Sequence, residues 1–462
     1  MIDFGRIGEY SENNRIEAKR AMGGLPRSLW ETYSAFANSF GGILLLGVEE
    51  LADKTFRTVN LPAPEKLIAE FWEIAEDKQR VSENLLAKDD VMIHEIDGDH
   101  IISITVPRAD RKKRPVYIGN NPYSGTYRRD GEGDYHCTAE EVRMMLRDRE
   151  ERTLDEKLLP HMFMDVFAPE TLRRYRTYLK DRHPGQGYEA EREEGLVCRI
   201  GAGKKGKDGT VHPTAAGLLM FGYEDEIVKK YPYFFLDYQE RTEDGQLRER
   251  IVSNSGKWSG NLFDFYLKIS GKIVRGLPHD IHRPVREAAA NCMMNGDYMG
   301  SGGLTVIKKQ DEICIANPGS FRIDILEAIN GGKSDPRNRR IAKLFHLVKV
   351  GTRTGAGVPD MYRVWNEKGW RMPEIQERFR PDRITLKLPL AAGREEQRQD
   401  SWMRMQEYKD AVLDYVTWAI YINGKDAGEE LKISRQEAET VLAAMEEEGI
   451  LVRTRDGYRL KI

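Results

Sequence analysis

The stretch VREAAANCMMNGDYMG, residues 285–300, holds a carboxylate and an amide four residues apart, Glu287 and Asn291. On a helix that spacing puts both side chains on one face. Pro284 suits a first helical turn and Gly296 a stop, so both residues fall on the helix body. Pairs of this kind are common on solvated faces, and the spacing alone does not separate a surface pair from a ligand site. Three downstream segments do: ANPG (316–319), a polar-glycine turn ending a strand; SDPRN (334–338); and GTRTGAG (351–357), whose glycines let backbone N–H groups approach an anion. An acid, an amide and glycine turns in this order are what a nucleotide site without a P-loop requires. The amide oxygen would hold Mg2+, and the carboxylate would orient the attacking water as base.

A chain of 462 residues exceeds one ordinary core, so about two to four domains are expected. Hydrophobic content of 40 % and charged content of 32 % describe a soluble globular protein. The formal charge of -3 gives no global basic field, so any nucleic-acid contact must come from local patches. MIDFGRIGEYSENN has no apolar core of a signal peptide, and GGILLLGV is too short to cross a bilayer. A cytoplasmic protein without a membrane partner is the expectation. Cys137, Cys198, Cys292 and Cys314 form no CxxC pair, which points to free thiols and no structural metal.

GAGKKGKD (201–208) nearly spells a P-loop, but Asp208 replaces the Ser/Thr that would ligate Mg2+, and its charge would repel phosphate. GTVHPT follows as turn and strand material, leaving no helix N-terminus to receive phosphate. A basic hairpin loop is the better reading.

The elements around these motifs follow from periodicity. SLWETYSAFANSF (28–40) predicts an amphipathic helix, stopped by Gly41-Gly42 and followed by the buried strand ILLLGV. Strands are expected at 91–96 and 101–106 around a DGD turn, with PVYIG and GTYRR as two more. Thr138-Ala-Glu-Glu141 is a capping box opening a charged helix, about 139–152, read as an interdomain linker. LVCRI and the stretch around YFFLDYQE predict strands; PTAAGLLMFG and GNLFDFYLKISGKIV predict helices. LTVIKKQDEICIANPG predicts a hairpin, and ITLKLPL a last strand. After the polar linker AAGREEQRQDS, 403–462 reads as a winged helix-turn-helix. It comprises a long helix (EYKDAVLDYVTWAI), a helix capped by Ser434-x-x-Glu437, and a wing turning at Asp456-Gly457. Acidic residues outnumber basic ones there, so dimerisation or partner contact is as open as DNA reading.

REAAAN, NGDY, NPG, DPRN and GTRTGAG resemble the C-terminal region of proteins once labelled RecG-like ATP-dependent DNA helicases, which has the GHKL ATPase fold of gyrase and histidine kinases. The resemblance covers about 210–390. It implies an α/β sandwich using ATP and Mg2+, with Glu287 as general base and Asn291 as Mg2+ ligand. It also implies that Asn317 and Gly319 lie near adenine and that Gly355 and Gly357 belong to a phosphate lid. Two departures bear on rate. Asn295-Gly296-Asp297-Tyr298 stands where relatives carry His-Arg-Asp-Tyr, and Asn317 replaces an adenine-reading Asp. Nucleotide binding is favoured over fast turnover, and the helicase label implies no unwinding.

Glu12, Glu17 and Lys19, then AFANSFGG, then LLLGVEE resemble the Schlafen/AlbA-type DNA-binding domain over about 8–135. The basic residues Lys19, Arg20, Arg108, Arg111, Lys112, Lys113, Arg114, Arg128 and Arg129 gather where that resemblance places a face for DNA or RNA. Tyr117, Tyr123 and Tyr127 are interleaved with them for stacking. Some Schlafen relatives cleave RNA with three acidic residues, to which Glu12, Glu17 and Glu50 would correspond; the alternative is that Glu17 and Lys19 pair within the fold. The fold expected is α+β and multidomain. A Schlafen/AlbA-like domain spans 1–137, a helical linker 138–160, a GHKL-like α/β sandwich 161–395, and a winged helix 403–462.

Three functions compete: an ATP-responsive nucleic-acid-binding regulator, in transcription or defence and plausibly homo-oligomeric; a nucleotide-gated, metal-dependent nuclease; and a scaffold with a vestigial ATP site. The nuclease reading predicts that Glu12→Ala abolishes metal-dependent cleavage of DNA or RNA while binding persists. Assays of the wild-type chain that detect no cleavage at all would remove it.

Overall fold

The computed structural model describes residues 7, 10–131, 133–351 and 356–390. Of the C-terminal segment it describes 408–409, 411–412, 415–416, 422–431, 433–447, 450–454 and 457–460. The chain divides into two compact units, Met1–Glu151 and Arg152–Ile462. Among the described residues no helix is long and apolar enough to cross a membrane. All four cysteines are free thiols.

In the first unit a four-stranded sheet runs in the order Ile16–Lys19, Gly42–Leu46, Asp99–Val106, Val91–Ile96, parallel in its first pair and antiparallel in the others. The predicted helix forms over Ser28–Asn38 and buries Leu29, Tyr33, Phe36 and Ala37. The double glycine that ends it is a steric requirement. A Cβ on Gly41, at φ +71°, would meet Val106 O at 2.9 Å, and one on Gly42 would meet Arg15 O at 2.7 Å. The polar residues of AFANSF are equally committed. Asn38 donates to the carbonyls of Val116 (2.7 Å) and Tyr127 (3.1 Å) and accepts from Val116 N–H (2.8 Å). Ser34 donates to Val116 O and accepts from Tyr127 N–H. These bonds replace a sheet partner for PVYIG, which the sequence predicts as a strand. The structure gives it only bridges, Val81 to Ile118 and Tyr117 to Thr126. GTYRR does pair, as Tyr127–Asp130 with Gly133–His136, and Asp97-Gly98 turns with both φ positive.

Four of the basic residues assigned to a nucleic-acid face are interior. Arg128 and Arg129 are 1 % exposed, Arg111 3 % and Arg114 5 %. Arg111 donates to the carbonyls of Asp148, Arg149 and Glu150, satisfying the C-terminus of the helix Ala139–Arg149. That helix opens with the expected Thr138–Glu141 capping box. It is not a free linker: Val142 and Met145 are buried with Cys137, and Glu141 lies 3.9 Å from the Arg128 guanidinium.

Arg129 pairs with Glu17 (2.8 Å) and Asp134 (2.9 Å) and donates to the carbonyls of Asn13 and Ile16. The sequence shows basic runs but cannot show which guanidiniums have carbonyls and carboxylates waiting for them in the interior.

The second unit is built on a six-stranded sheet ordered Leu247–Val252, Leu236–Arg241, Leu304–Lys308, Glu312–Pro318, Arg383–Pro389, Glu374–Arg378. Only Leu236–Arg241 with Leu304–Lys308 is a parallel pair. Leu304 and Val306 are buried while Thr305 and Ile307 are half-buried, the alternation of a sheet with one covered face. Helices Leu262–Ser270, His282–Asn295, Arg339–Leu347 and Gly357–Glu367 contribute to its core. LVCRI, expected as a strand, lies in the helix Glu193–Ile200, closed by Gly201 at φ +83°. Leu196 and Ile200 are buried and four apart, while Arg199 between them is exposed; so short an apolar run does not declare its period. GAGKKGKD is the basic hairpin expected, Gly203–Lys205 with Val211–Pro213, and Asp208 pairs with His212 rather than phosphate.

The C-terminal segment has its own core, including Val412, Ala438, Leu442 and Leu451. Ser434 Oγ accepts from Glu437 N–H as the cap predicts, and Leu451–Thr454 pairs with Gly457–Leu460. A helix at Gly424–Leu431 was not foreseen. Residues 391–401, the expected polar linker, and most of the expected helix at 407–420 lie outside the described residues.

Replacing Arg129 by Gln leaves the largely buried Asp134 without its cation and Glu17 with Lys19 alone. The expected loss is about 3 kcal/mol from the first unit, measured by denaturant unfolding, against less than about 0.5 kcal/mol for exposed Lys113→Gln.

Candidate functional site

The helix predicted from REAAAN spans His282–Asn295 and packs on the strand Glu312–Pro318 and on the helix Gly357–Glu367. Its face toward them opens a cleft of about 180 Å3 lined by Glu287, Asn291, Asn317, Arg322, Arg337 and Gly357, among others. The structure thus brings together four of the residues singled out in sequence, from three separate motifs.

Glu287 is buried, 6 % exposed. Its carboxylate abuts the first residue of the helix Gly357–Glu367, where a Cβ on Gly357 would come within 2.7 Å of Cδ. The glycine here is a space requirement, and it sets the acid against backbone N–H groups that have no intrahelical acceptor. Asn291, one turn on, is half-buried, and its side-chain amide makes no hydrogen bond with any described residue. Asn317, 4 % exposed at the end of its strand, donates from Nδ2 to Pro318 O at 2.9 Å, which leaves the amide oxygen as an acceptor. Gly319, at φ +105°, does not line the cleft. A side chain there would crowd Arg337 Nη2 (3.1 Å) and Asp297 Cβ (3.2 Å), so it serves the wall rather than the ligand face. Gly355 lies outside the described residues.

SDPRN has a role the sequence did not disclose. Asn338 donates through Nδ2 to Met294 O (3.1 Å) and Gly296 O (2.7 Å), and its own N–H reaches Met294 O (3.0 Å). Arg337 donates to Asn295 O (3.2 Å) and Ser320 O (2.7 Å). These donors meet the carbonyls that every helix C-terminus leaves without partners. NGDY joins the same lock: Asp297 N–H donates to Pro318 O, and Tyr298 Oη to Met293 O. Arg322 also lines the cleft, within 3.5 Å of Asp335. Nothing in the sequence pattern marked it.

In the first unit, Glu17 pairs with Lys19 (2.6 Å) as well as Arg129, the internal pairing weighed from sequence. Glu12 accepts from Ala18 N–H, and its own N–H donates to Glu50. Burial, then the negative charge of Glu17, raises the Glu12 carboxyl above its ordinary range. Among the described residues no group of three or more acidic, His or Cys side chains is arranged to hold a metal ion. Arg20 is exposed and pairs with Glu49 (3.2 Å). Lys112 and Lys113 are exposed and Arg108 half-buried.

Three family descriptions match separate stretches of the chain. They are "Schlafen, AlbA_2" over 12–138, "Domain of unknown function (DUF8451)" over 143–237, and "Putative ATP-dependent DNA helicase recG C-terminal" over 304–386. Both resemblances read from the sequence are therefore present. Asn317 and Gly357 fall inside the last match, while Glu287 and Asn291 precede it. Among solved structures, the DIP2311 protein from Corynebacterium diphtheriae is similar at 17 % identity. That match covers 97 % of this chain and 80 % of that one, with a TM-score of 0.43. The N-terminal domain of a putative ATP-dependent DNA helicase RecG-related protein from Nitrosomonas europaea is 29 % identical. It covers 30 % of this chain and 95 % of that one, with a TM-score of 0.24. No curated protein matches.

Asn338→Ala removes the side-chain donors to Met294 O and Gly296 O, and only Met294 O keeps the backbone N–H of residue 338, so the second unit is expected to lose about 1–3 kcal/mol in denaturant unfolding. An unchanged midpoint would mean that the bonds do not hold the helix end.

Proposed function

We propose that this chain is an ATP-binding, nucleic-acid-binding regulator with slow ATP turnover and no unwinding activity. In this reading the second unit carries a GHKL-type nucleotide site, the C-terminal segment is a winged helix, and the first unit supplies the nucleic-acid contact. One observation carries it: a cleft in which a buried acid and an amide with no side-chain partner among the described residues, both on one helix, share the lining with Asn317 of the neighbouring strand. The matches to a Schlafen AlbA_2 domain and a RecG C-terminal domain support the pairing of nucleic acid with nucleotide.

The residues present fit Mg·ATP. Asn291 is the side chain whose oxygen would hold Mg2+, which when bound neutralises phosphate charge. Glu287 orients the attacking water and accepts its proton. The amide oxygen of Asn317 accepts from the amino group of the base. Slow turnover follows from the NGDY segment, which lacks the basic neighbour of its relatives, and from Arg337, whose Nε–H and Nη2–H donors go to the Asn295 and Ser320 carbonyls. In the first unit the exposed cations Arg20, Lys112 and Lys113 are the ones within reach of phosphate, Arg20 and Lys112 by exchanging Glu49 and Glu151 for it; the buried arginines are not. Nuclease activity is the weaker reading, because Glu17 is already engaged by two cations.

Asn291→Ala is expected to weaken Mg·ATP binding at least about tenfold in calorimetry, with the fold intact by circular dichroism. Equal affinity would make the site assignment wrong. Oligonucleotide affinity measured with and without Mg·ATP then tests regulation: a ratio of one leaves two unconnected binding activities.

A further inference from the structure

The N-terminal half of the Glu287 helix raises a separate question of charge. A second cleft, of about 440 Å3, is lined by Arg182, Arg283, Arg286 and Lys349, with Tyr178 and Tyr266 beside them. Among its described lining residues the one carboxylate is Glu287. None of the four cations makes an ion pair with a described residue, although the chain has more acidic than basic residues, 75 against 72. Arg283 also borders a smaller cleft containing Asp280 and Asp360, but those acids pair with Lys368 (2.7 Å) and Arg363 (3.6 Å).

The placement runs against local electrostatics. Arg283 and Arg286 sit at the N-terminal end of the helix His282–Asn295, which has no acid in its first turn, so their charges add to the positive end of the helix dipole. Arg286 is held there by its Nε–H bond to Ser270 O at 2.9 Å. Lys349 is presented from a left-handed backbone position, φ +58°, just after the helix Arg339–Leu347. Burial pushes the Tyr266 hydroxyl up to about 12, with Arg286 lowering it and Tyr178 and Glu287 raising it, so these groups lie within electrostatic reach of one another. Four cations gathered around a single carboxylate leave an excess of like charge that costs stability unless a ligand supplies the opposite charge.

We propose that this cleft is a second anion site, which binds the phosphate groups of a ligand and shares Glu287 with the nucleotide cleft. Four cations with exposed Tyr178 at the edge suit either a phosphodiester backbone or a small phosphorylated molecule; the phosphate chemistry is common to both. Phosphate binding here does not require the nucleotide reading to hold.

The test is calorimetric titration of the full chain with inorganic pyrophosphate in EDTA, in wild type and in Asn291→Ala. Both are expected to bind alike, because the amide belongs to the other cleft. Arg283→Gln/Lys349→Gln, which changes two exposed side chains, is expected to weaken binding about tenfold or more. The control Lys230→Gln/Lys257→Gln, with the same loss of charge elsewhere on the surface, is expected to keep wild-type affinity. Three results overturn the site: no pyrophosphate binding by wild type, a charge variant within twofold of wild type, or an equal loss in the control. Loss of binding in Asn291→Ala alone places the anion in the nucleotide cleft and also overturns it. Displacement of bound pyrophosphate by a single strand of about 12 nucleotides identifies the phosphodiester source, and failure to displace identifies the small molecule.

Discussion

The second unit depends on how one helix ends. The helix His282–Asn295 stops in the interior, and carbonyls at such an end cannot turn to water. Asn338 and Arg337 supply the donors, and both are themselves buried. That requirement draws the SDPRN loop onto NGDY, and the Asp297 N–H bond then ties NGDY to Pro318. Three loops distant in sequence become one wall. Glu287 and Asn291 face Asn317 because the helix carrying them is fixed at its far end to the strand terminus that carries Asn317.

Arginine is used in two opposite ways. In the first unit Arg111, Arg128 and Arg129 are buried against carbonyls or carboxylates, and the planar guanidinium with its several donors suits that work better than an ammonium would. Around the second cleft, Arg182, Arg283 and Arg286 have no ionic partner among the described residues. A count of basic residues treats these sets alike. Their surroundings make the first a part of the fold and the second an electrostatic cost that function must explain.

Periodicity and turn chemistry were enough where an element carries its own instruction. The helix of REAAAN, the Asp97-Gly98 turn, the Thr138 capping box, the Ser434 cap and the hairpin ending in ANPG all formed as read, because caps and positive-φ turns act within a few residues. LVCRI failed because five residues fit a helix or a strand equally well, and its neighbours chose. PVYIG failed because Asn38 and Ser34 took the hydrogen bonds that a strand would have made.

By itself, then, the sequence determined which residues could carry chemistry and in what order: an acid and an amide on one helical face, an asparagine ending a strand, and glycines where carboxylate and backbone must come close. Tertiary structure alone decided which of those groups meet. It left Glu287, Asn291, Asn317 and Gly357 around one cleft, moved Gly319 into its wall, and turned SDPRN into the lock on a helix end. It also took four arginines off the surface. The physical reason is that a side chain's type sets what it can bond to, while burial sets what it must bond to, and burial is a property of the whole fold.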